Sequence, residues 1–136
     1  MISGLRKIIL YWLPPIFWMG LVFFLSSFHK IQVTEVGWAN FITRKLAHFS
    51  EYAVLYFLFY RGFKNTAKFS LKKVLFLSFI LTILYALSDE YHQTWISGRT
   101  GKFFDIGVDC AGAFLGLIFS WRLVNLLPEK IKKIIL

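Results

Sequence analysis

In "RKLAHFSEYAVLY" a lysine, a histidine and a glutamate, Lys45, His48 and Glu51, recur at every third residue. That spacing puts them on one face of a helix, with Tyr52 beside them. A second stretch, "SDEYHQTWISGR", sets Asp89 on the same stripe as His92 and Gln93. Glu90 then points about 100° away on a helix of roughly 3.6 residues per turn, so one of the two adjacent acids is expected to face inward fully. A third stretch, "DIGVDCAGAFLG", aligns Asp105 and Asp109 with Gly112 and Gly116, a G-x-x-x-G that lets another backbone come close just below two carboxylates.

These residue types suit chemistry on an anion. Arg99 offers a planar fork to a phosphate or carboxylate, Lys45 a second positive charge, and Gly98 and Gly101 would let backbone N–H groups turn toward the same ligand. His48 and His92 are imidazoles that can take or give a proton near neutral pH, as a general base or nucleophile oriented by Asp89 or Asp105. The candidate catalytic set is therefore His48, His92, Asp89, Glu51 and Asp105, and the candidate substrate contacts are Lys45, Tyr52, Glu90, Gln93, Arg99 and Asp109. The same imidazoles and carboxylates could ligate a metal, as in four-helix carboxylate proteins, but Lys45 and Arg99 raise the cost of holding a dication there. No metal or other cofactor is assigned. Cys110 stands alone in an apolar run and supplies neither a disulfide nor a thiolate site.

The elements that must position these groups are read from hydropathy. The chain has 136 residues, 57% of them hydrophobic and only 17% charged, and its mean hydropathy is +0.61. That composition predicts an all-α integral membrane protein, one domain over 1–136 built as a four-helix bundle, each span needing roughly 20 residues. The expected spans are 8–28, 43–60, 71–95 and 104–127. Pro14-Pro15 should kink the first, which lacks an A-x-A cleavage site and so reads as a retained anchor helix rather than a signal peptide. Pro128 should end the last.

The net charge of +9 raises nucleic acid as a partner, but the basic residues lie in short groups between apolar runs, as membrane loops are built, and no nucleic acid is expected. "RGFKNTAKFSLKK" holds Arg61, Lys64, Lys68, Lys72 and Lys73 and no acid, which predicts a cytoplasmic loop. With Arg6, Lys7, Arg122, Lys130, Lys132 and Lys133, 11 of the 16 basic residues would be cytoplasmic, and so would both termini. Six of the seven acids, Glu35, Glu51, Asp89, Glu90, Asp105 and Asp109, then fall in the extracytoplasmic half. Facing lipid, each would cost on the order of 2.5 to 3.5 kcal/mol at the bilayer centre, so the three stripes are expected to turn inward and meet. A purely structural network is the competing reading, since interhelical polar contacts worth about 0.6 to 2 kcal/mol each can pin a bundle. Pinning needs two or three partners, and these stripes supply many more.

"KLAHFSEYAVLYFLFYR" followed by "YALSDEYHQTWISGRTGKFFDIGVDCAGAFLG" resembles the VanZ-like family of bacterial membrane proteins, whose pattern is K-x2-H-x2-E-Y, then D-E-x-H-Q with a nearby R, then D-x3-(D/N)-x2-G-x3-G. The resemblance covers roughly Arg44 to Gly116, with the motifs in order. It implies functional positions at Lys45, His48, Glu51, Tyr52, Asp89, Glu90, His92, Gln93, Arg99, Asp105 and Asp109. It also implies a protein of the bacterial cytoplasmic membrane and cell envelope, with a link to teicoplanin resistance. "TWISGR" departs from the family by lacking a proline before G-R, which leaves that turn less rigid.

The leading functional reading is an extracytoplasmic pocket that binds an anionic lipid headgroup or a lipid-linked cell-wall intermediate, and that hydrolyses or transfers it if His48 or His92 is catalytic. The S-G-H and R-x6-H-x3-D pattern of membrane phosphatases is absent, so the residues leave open whether the protein is an enzyme. A transporter or flippase is the alternative. "LYFLFY", "LFLSFILTI" and "GLIFSWRL" carry no acid or histidine, however, so a proton relay would stop partway across. A non-catalytic partner protein is the third reading. Oligomeric state is not encoded in any of these features. His29, Lys30, Trp38 and Trp121 read as interfacial anchors, the tail "IKKIIL" as lying on the inner leaflet, and Ser78 and Thr82 as bonding within their own helix.

Overall fold

The structure, a computed structural model, describes residues 4–28, 36–96, 103–123, 126–128 and 131. Four helices run in chain order: α1 (Gly4–Ser26), α2 (Gly37–Thr66), α3 (Leu71–Gln93) and α4 (Phe103–Ile118), the last continued by a π-helical segment, Phe119–Leu123. The all-helical architecture expected from the apolar runs is present, and the described residues contain no strand. Three stretches, Gly4–Ser26, Leu71–Gln93 and Phe104–Arg122, are long and apolar enough to cross a membrane.

α2 differs most from expectation. Its 30 residues would span about 45 Å, well beyond the roughly 30 Å of hydrocarbon, and they extend past both ends of the expected 43–60. Hydropathy marks only the part that lipid must solvate, whereas the helix continues beyond Tyr60 because the polar side chains of its last turns bond within it. Thr66 Oγ1 donates to the Gly62 carbonyl at 2.7 Å and Asn65 Nδ2 to the Arg61 carbonyl at 2.9 Å. The Lys64 ammonium donates to the Tyr60 hydroxyl at 3.1 Å. α3 starts where Ser70 accepts from the Lys73 amide at 3.4 Å, an N-cap contact. It stops at Gln93, two residues short of the expected end. The fourth helix keeps α geometry only to Ile118, and the wider π turns after it set the Phe119 ring against Phe57, centroids 5.8 Å apart, while Ser120 stays buried.

α2 is the central element and packs on each of the other three. Trp12 of α1 docks on its far end: the indole lies 3.3 Å from where a Cβ on Gly62 would sit, edge-on to Phe63, and donates to Thr66 Oγ1 at 3.0 Å. Trp12→Phe keeps a ring in this slot but loses the bond. It is expected to cost about 1 kcal/mol in detergent unfolding, with Trp12→Phe plus Thr66→Val costing little more than the larger single change.

α2 and α4 run in the same direction, since Lys45 meets Asp105, Phe49 meets Gly112 and Tyr56 meets Gly116 in step. Ser78 and Thr82 are fully buried and donate to the Val74 and Ser78 carbonyls, both at 2.8 Å, so they bond within their own helix as expected. Leu13, Phe17, Phe76, Leu84 and Phe114 point outward, an apolar surface suited to lipid. The arrangement separates charge by end. Arg61, Lys64, Lys68, Lys72 and Lys73 lie where α2 turns into α3, while Lys45, His48 and the described aspartates lie toward the start of α2, the end of α3 and the start of α4.

Candidate functional site at the acidic end

Helical spacing on α2 and α4 brings two ionisable pairs together in register. The Lys45 ammonium forms an ion pair with Asp105, and it sits between two aromatic rings, 5.4 Å from the centroid of Phe41 and 5.6 Å from that of Phe104. One turn further down, His48 Nδ1 is 3.2 Å from Asp109 Oδ1. A carboxylate partner calls for the tautomer with its hydrogen on Nδ1, which leaves a lone pair on Nε2. The side chains of Lys45, Asp105 and His48 are 20%, 17% and 17% exposed, against 1% for Asp109. The site is thus open at the Lys45 rim and closed at the Asp109 floor.

Gly112 and Gly116 make this register possible. A Cβ on Gly112 would land on the Phe49 backbone, and one on Gly116 would lie 2.8 Å from the Tyr56 ring and 2.9 Å from the Ala53 carbonyl oxygen. The backbones approach as closely as the G-x-x-x-G spacing anticipates, directly beneath the two carboxylates.

The Asp89 carboxylate organises the adjoining group, which draws on the other helices. Ser26 Oγ of α1 donates to its Oδ1 at 2.6 Å, and Gln93 Nε2 of α3 and the Tyr52 hydroxyl of α2 donate to Oδ2 at 2.8 and 3.3 Å. Tyr52, which bonds Asp89, and His48, which meets Asp109, lie one turn apart on α2. The two groups therefore adjoin along one stripe of α2. Lys45, His48, Tyr52, Asp89, Gln93, Asp105 and Asp109 are brought together as the spacing requires.

Four expected members, Glu90, His92, Glu51 and Arg99, stand differently. Asp89 and Glu90 are both buried, where only one was expected to face inward fully; α3 packs against α1, α2 and α4, so directions about 100° apart both meet a neighbouring helix. His92 forms no described hydrogen bond with the others. Its ring stacks on Phe23 of α1, centroids 4.1 Å apart, and its Nδ1 is buried without a hydrogen-bond partner among the described residues. Glu51 is half-buried, and its carbonyl oxygen accepts from Trp18 Nε1 at 3.0 Å. Arg99 and its flanking glycines lie outside the described residues.

Ser26 was not among the candidate residues. Its signal was a serine pair closing the aromatic run "FFLSSF", where a small hydroxyl at the end of a span can bond across helices. Among the described residues no three His, Cys, Asp or Glu side chains are grouped so as to hold a metal ion.

A family model described as VanZ/LLP1 matches residues 11–125. No curated protein and no solved structure matches the chain.

Proposed function

The chain belongs to the VanZ/LLP1 family, and from that premise we propose that this membrane protein binds the phosphate-bearing headgroup of a lipid or lipid-linked cell-envelope intermediate at its acidic end. The observation that carries the reading is the junction of side chains from four helices, closed at Asp109 and open at Lys45. An ammonium has three N–H donors, and Asp105 engages Lys45 while leaving others for a phosphate oxygen. His48, held by Asp109 and partly exposed, can accept a proton on Nε2 from a hydroxyl or water attacking the bound headgroup. In this reading the basic turn between α2 and α3 is cytoplasmic, the polar site faces the other side of the cytoplasmic membrane, and the link to teicoplanin resistance runs through an envelope lipid.

The test is native mass spectrometry of detergent-purified protein titrated with phosphatidylglycerol and, separately, phosphatidylcholine. Lys45→Ala is expected to weaken phosphatidylglycerol binding at least about tenfold, equivalent to about 1.4 kcal/mol, and to leave phosphatidylcholine adducts unchanged. Binding equal to wild type in both Lys45→Ala and His48→Ala would mean that the polar cluster is a structural network only. A headgroup product from wild type that His48→Ala does not form would add catalysis to binding.

A further inference from the structure

α1 is fastened in two different ways along its length. As far as Trp18 it is tied to α2 by two indole N–H bonds, Trp12 to Thr66 and Trp18 to the Glu51 carbonyl, both at 3.0 Å. Beyond Trp18 the attachment passes to α3. The Tyr85 hydroxyl donates to the Met19 carbonyl at 2.5 Å. A regular turn of α1 offers that same carbonyl to the Phe23 amide, and a side chain that competes for a ladder carbonyl is one of the causes of helix bending. Gly20, beside this contact, has open space where a Cβ would be.

From Gly20 to its end, α1 buries only Val22 and Ser26, while Phe23, Phe24 and Leu25 are 50%, 59% and 39% exposed. Two contacts close this segment over the site: the Ser26 bond to Asp89 and the Phe23 stack on His92. Ser26 has a second acceptor within reach, the Phe23 carbonyl at 3.0 Å, so leaving Asp89 does not strand its hydroxyl. Behind the closure lie Asp89, Tyr52 and the partnerless Nδ1 of His92.

We propose that Gly20–Ser26 is a flap hinged where Tyr85 bonds the Met19 carbonyl, and that its opening admits the headgroup sideways, still attached to its lipid, from the hydrocarbon that Phe23, Phe24 and Leu25 face. The proposal rests on the headgroup-binding reading and narrows its substrate class. When Ser26 leaves, Asp89 Oδ1 loses an O–H donor, so the entering group must bring one; Lys45 on the same site takes a phosphate oxygen. The fitting ligand is a lipid whose headgroup carries both a phosphate and a hydroxyl, of the glycerol or sugar kind. A soluble phosphate with the same polar groups reaches the partly exposed rim at Lys45 but has no route through the apolar seam to buried Asp89.

The experiment uses spin labels on the full chain in phosphatidylcholine nanodiscs, with Cys110→Ala as background. One pair is Phe24→Cys with Leu115→Cys, both exposed. The control pair, Leu13→Cys with Leu115→Cys, reports on the fastened part of α1. The flap predicts two distances for the Phe24 pair and one for the control. The longer component should grow when phosphatidylglycerol is added, become dominant in Ser26→Ala and in Phe23→Leu, and stay unchanged with glycerol 3-phosphate. A single Phe24-pair distance under all these conditions overturns the flap, and an equal response to glycerol 3-phosphate overturns entry from the membrane. Native mass spectrometry on the same samples separates the two readings. Phosphatidylglycerol bound with no change in distance removes the flap and leaves headgroup binding standing, whereas a flap that opens in Ser26→Ala while added phosphatidylglycerol binds neither that variant nor the wild type removes the substrate assignment.

Discussion

Gly112→Ala is expected to lower stability by about 1 to 3 kcal/mol or more, although it adds a single methyl group. The new Cβ meets the carbonyl oxygen, carbonyl carbon and Cα of Phe49, which are backbone atoms that cannot turn aside as a side-chain tip could. α4 must therefore move off α2, and the displacement falls just below the paired residues. Both the Lys45–Asp105 and His48–Asp109 contacts should be lost with it. Gly107→Ala is the control, because that glycine is exposed and its Cβ would meet nothing within 4 Å. Thermal unfolding in detergent should show a drop for Gly112→Ala alone, and lipid binding should fall with it. Equal midpoints for the two variants would mean that α2 and α4 do not touch along this stripe.

Asp89→Ala is the second large effect. It removes the acceptor shared by Ser26, Gln93 and Tyr52, and each buried donor left stranded costs roughly 1 to 3 kcal/mol. Ser26 can return to the Phe23 carbonyl, but Tyr52 is fully buried and cannot reach water. Asp89→Asn keeps one acceptor oxygen and should lose less. In a double-mutant cycle, Tyr52→Phe should cost measurably less in Asp89→Ala than in wild type, because its partner is already gone. Strictly additive losses would show that the 3.3 Å contact between Tyr52 and Asp89 contributes nothing.

The helices and the inward stripes were legible because both follow from period. Apolar runs of span length mark helices, and polar groups three or four apart within them must share a face. Lys45, His48, Asp105 and Asp109 could thus be placed from the chain alone, and the glycines after the aspartates pointed to the close approach beneath them. Partner choice was not legible. Spacing along α3 puts Asp89, His92 and Gln93 together on one helix, but it does not say that Asp89 turns to Ser26 and Tyr52 while His92 takes Phe23. Those outcomes depend on where α1 crosses, and one serine at the end of an aromatic run carries little sign of it. The extension of α2 beyond Tyr60 was hidden for a different reason: the polar side chains of its last turns bond within the helix and leave no mark in hydropathy.

A phosphate-bearing lipid headgroup bound at the acidic end of the bundle should be reached by a phosphatidylglycerol probe carrying a photoreactive diazirine beside its phosphate, reacted with the protein in nanodiscs and mapped by peptide mass spectrometry. Labelling is expected within 41–52 of α2 and 104–112 of α4, suppressed by unlabelled phosphatidylglycerol and lost in Lys45→Ala. Labelling confined to the basic turn at 61–73, or spread over the exposed apolar face of α1 and indifferent to Lys45→Ala, would contradict binding at that end.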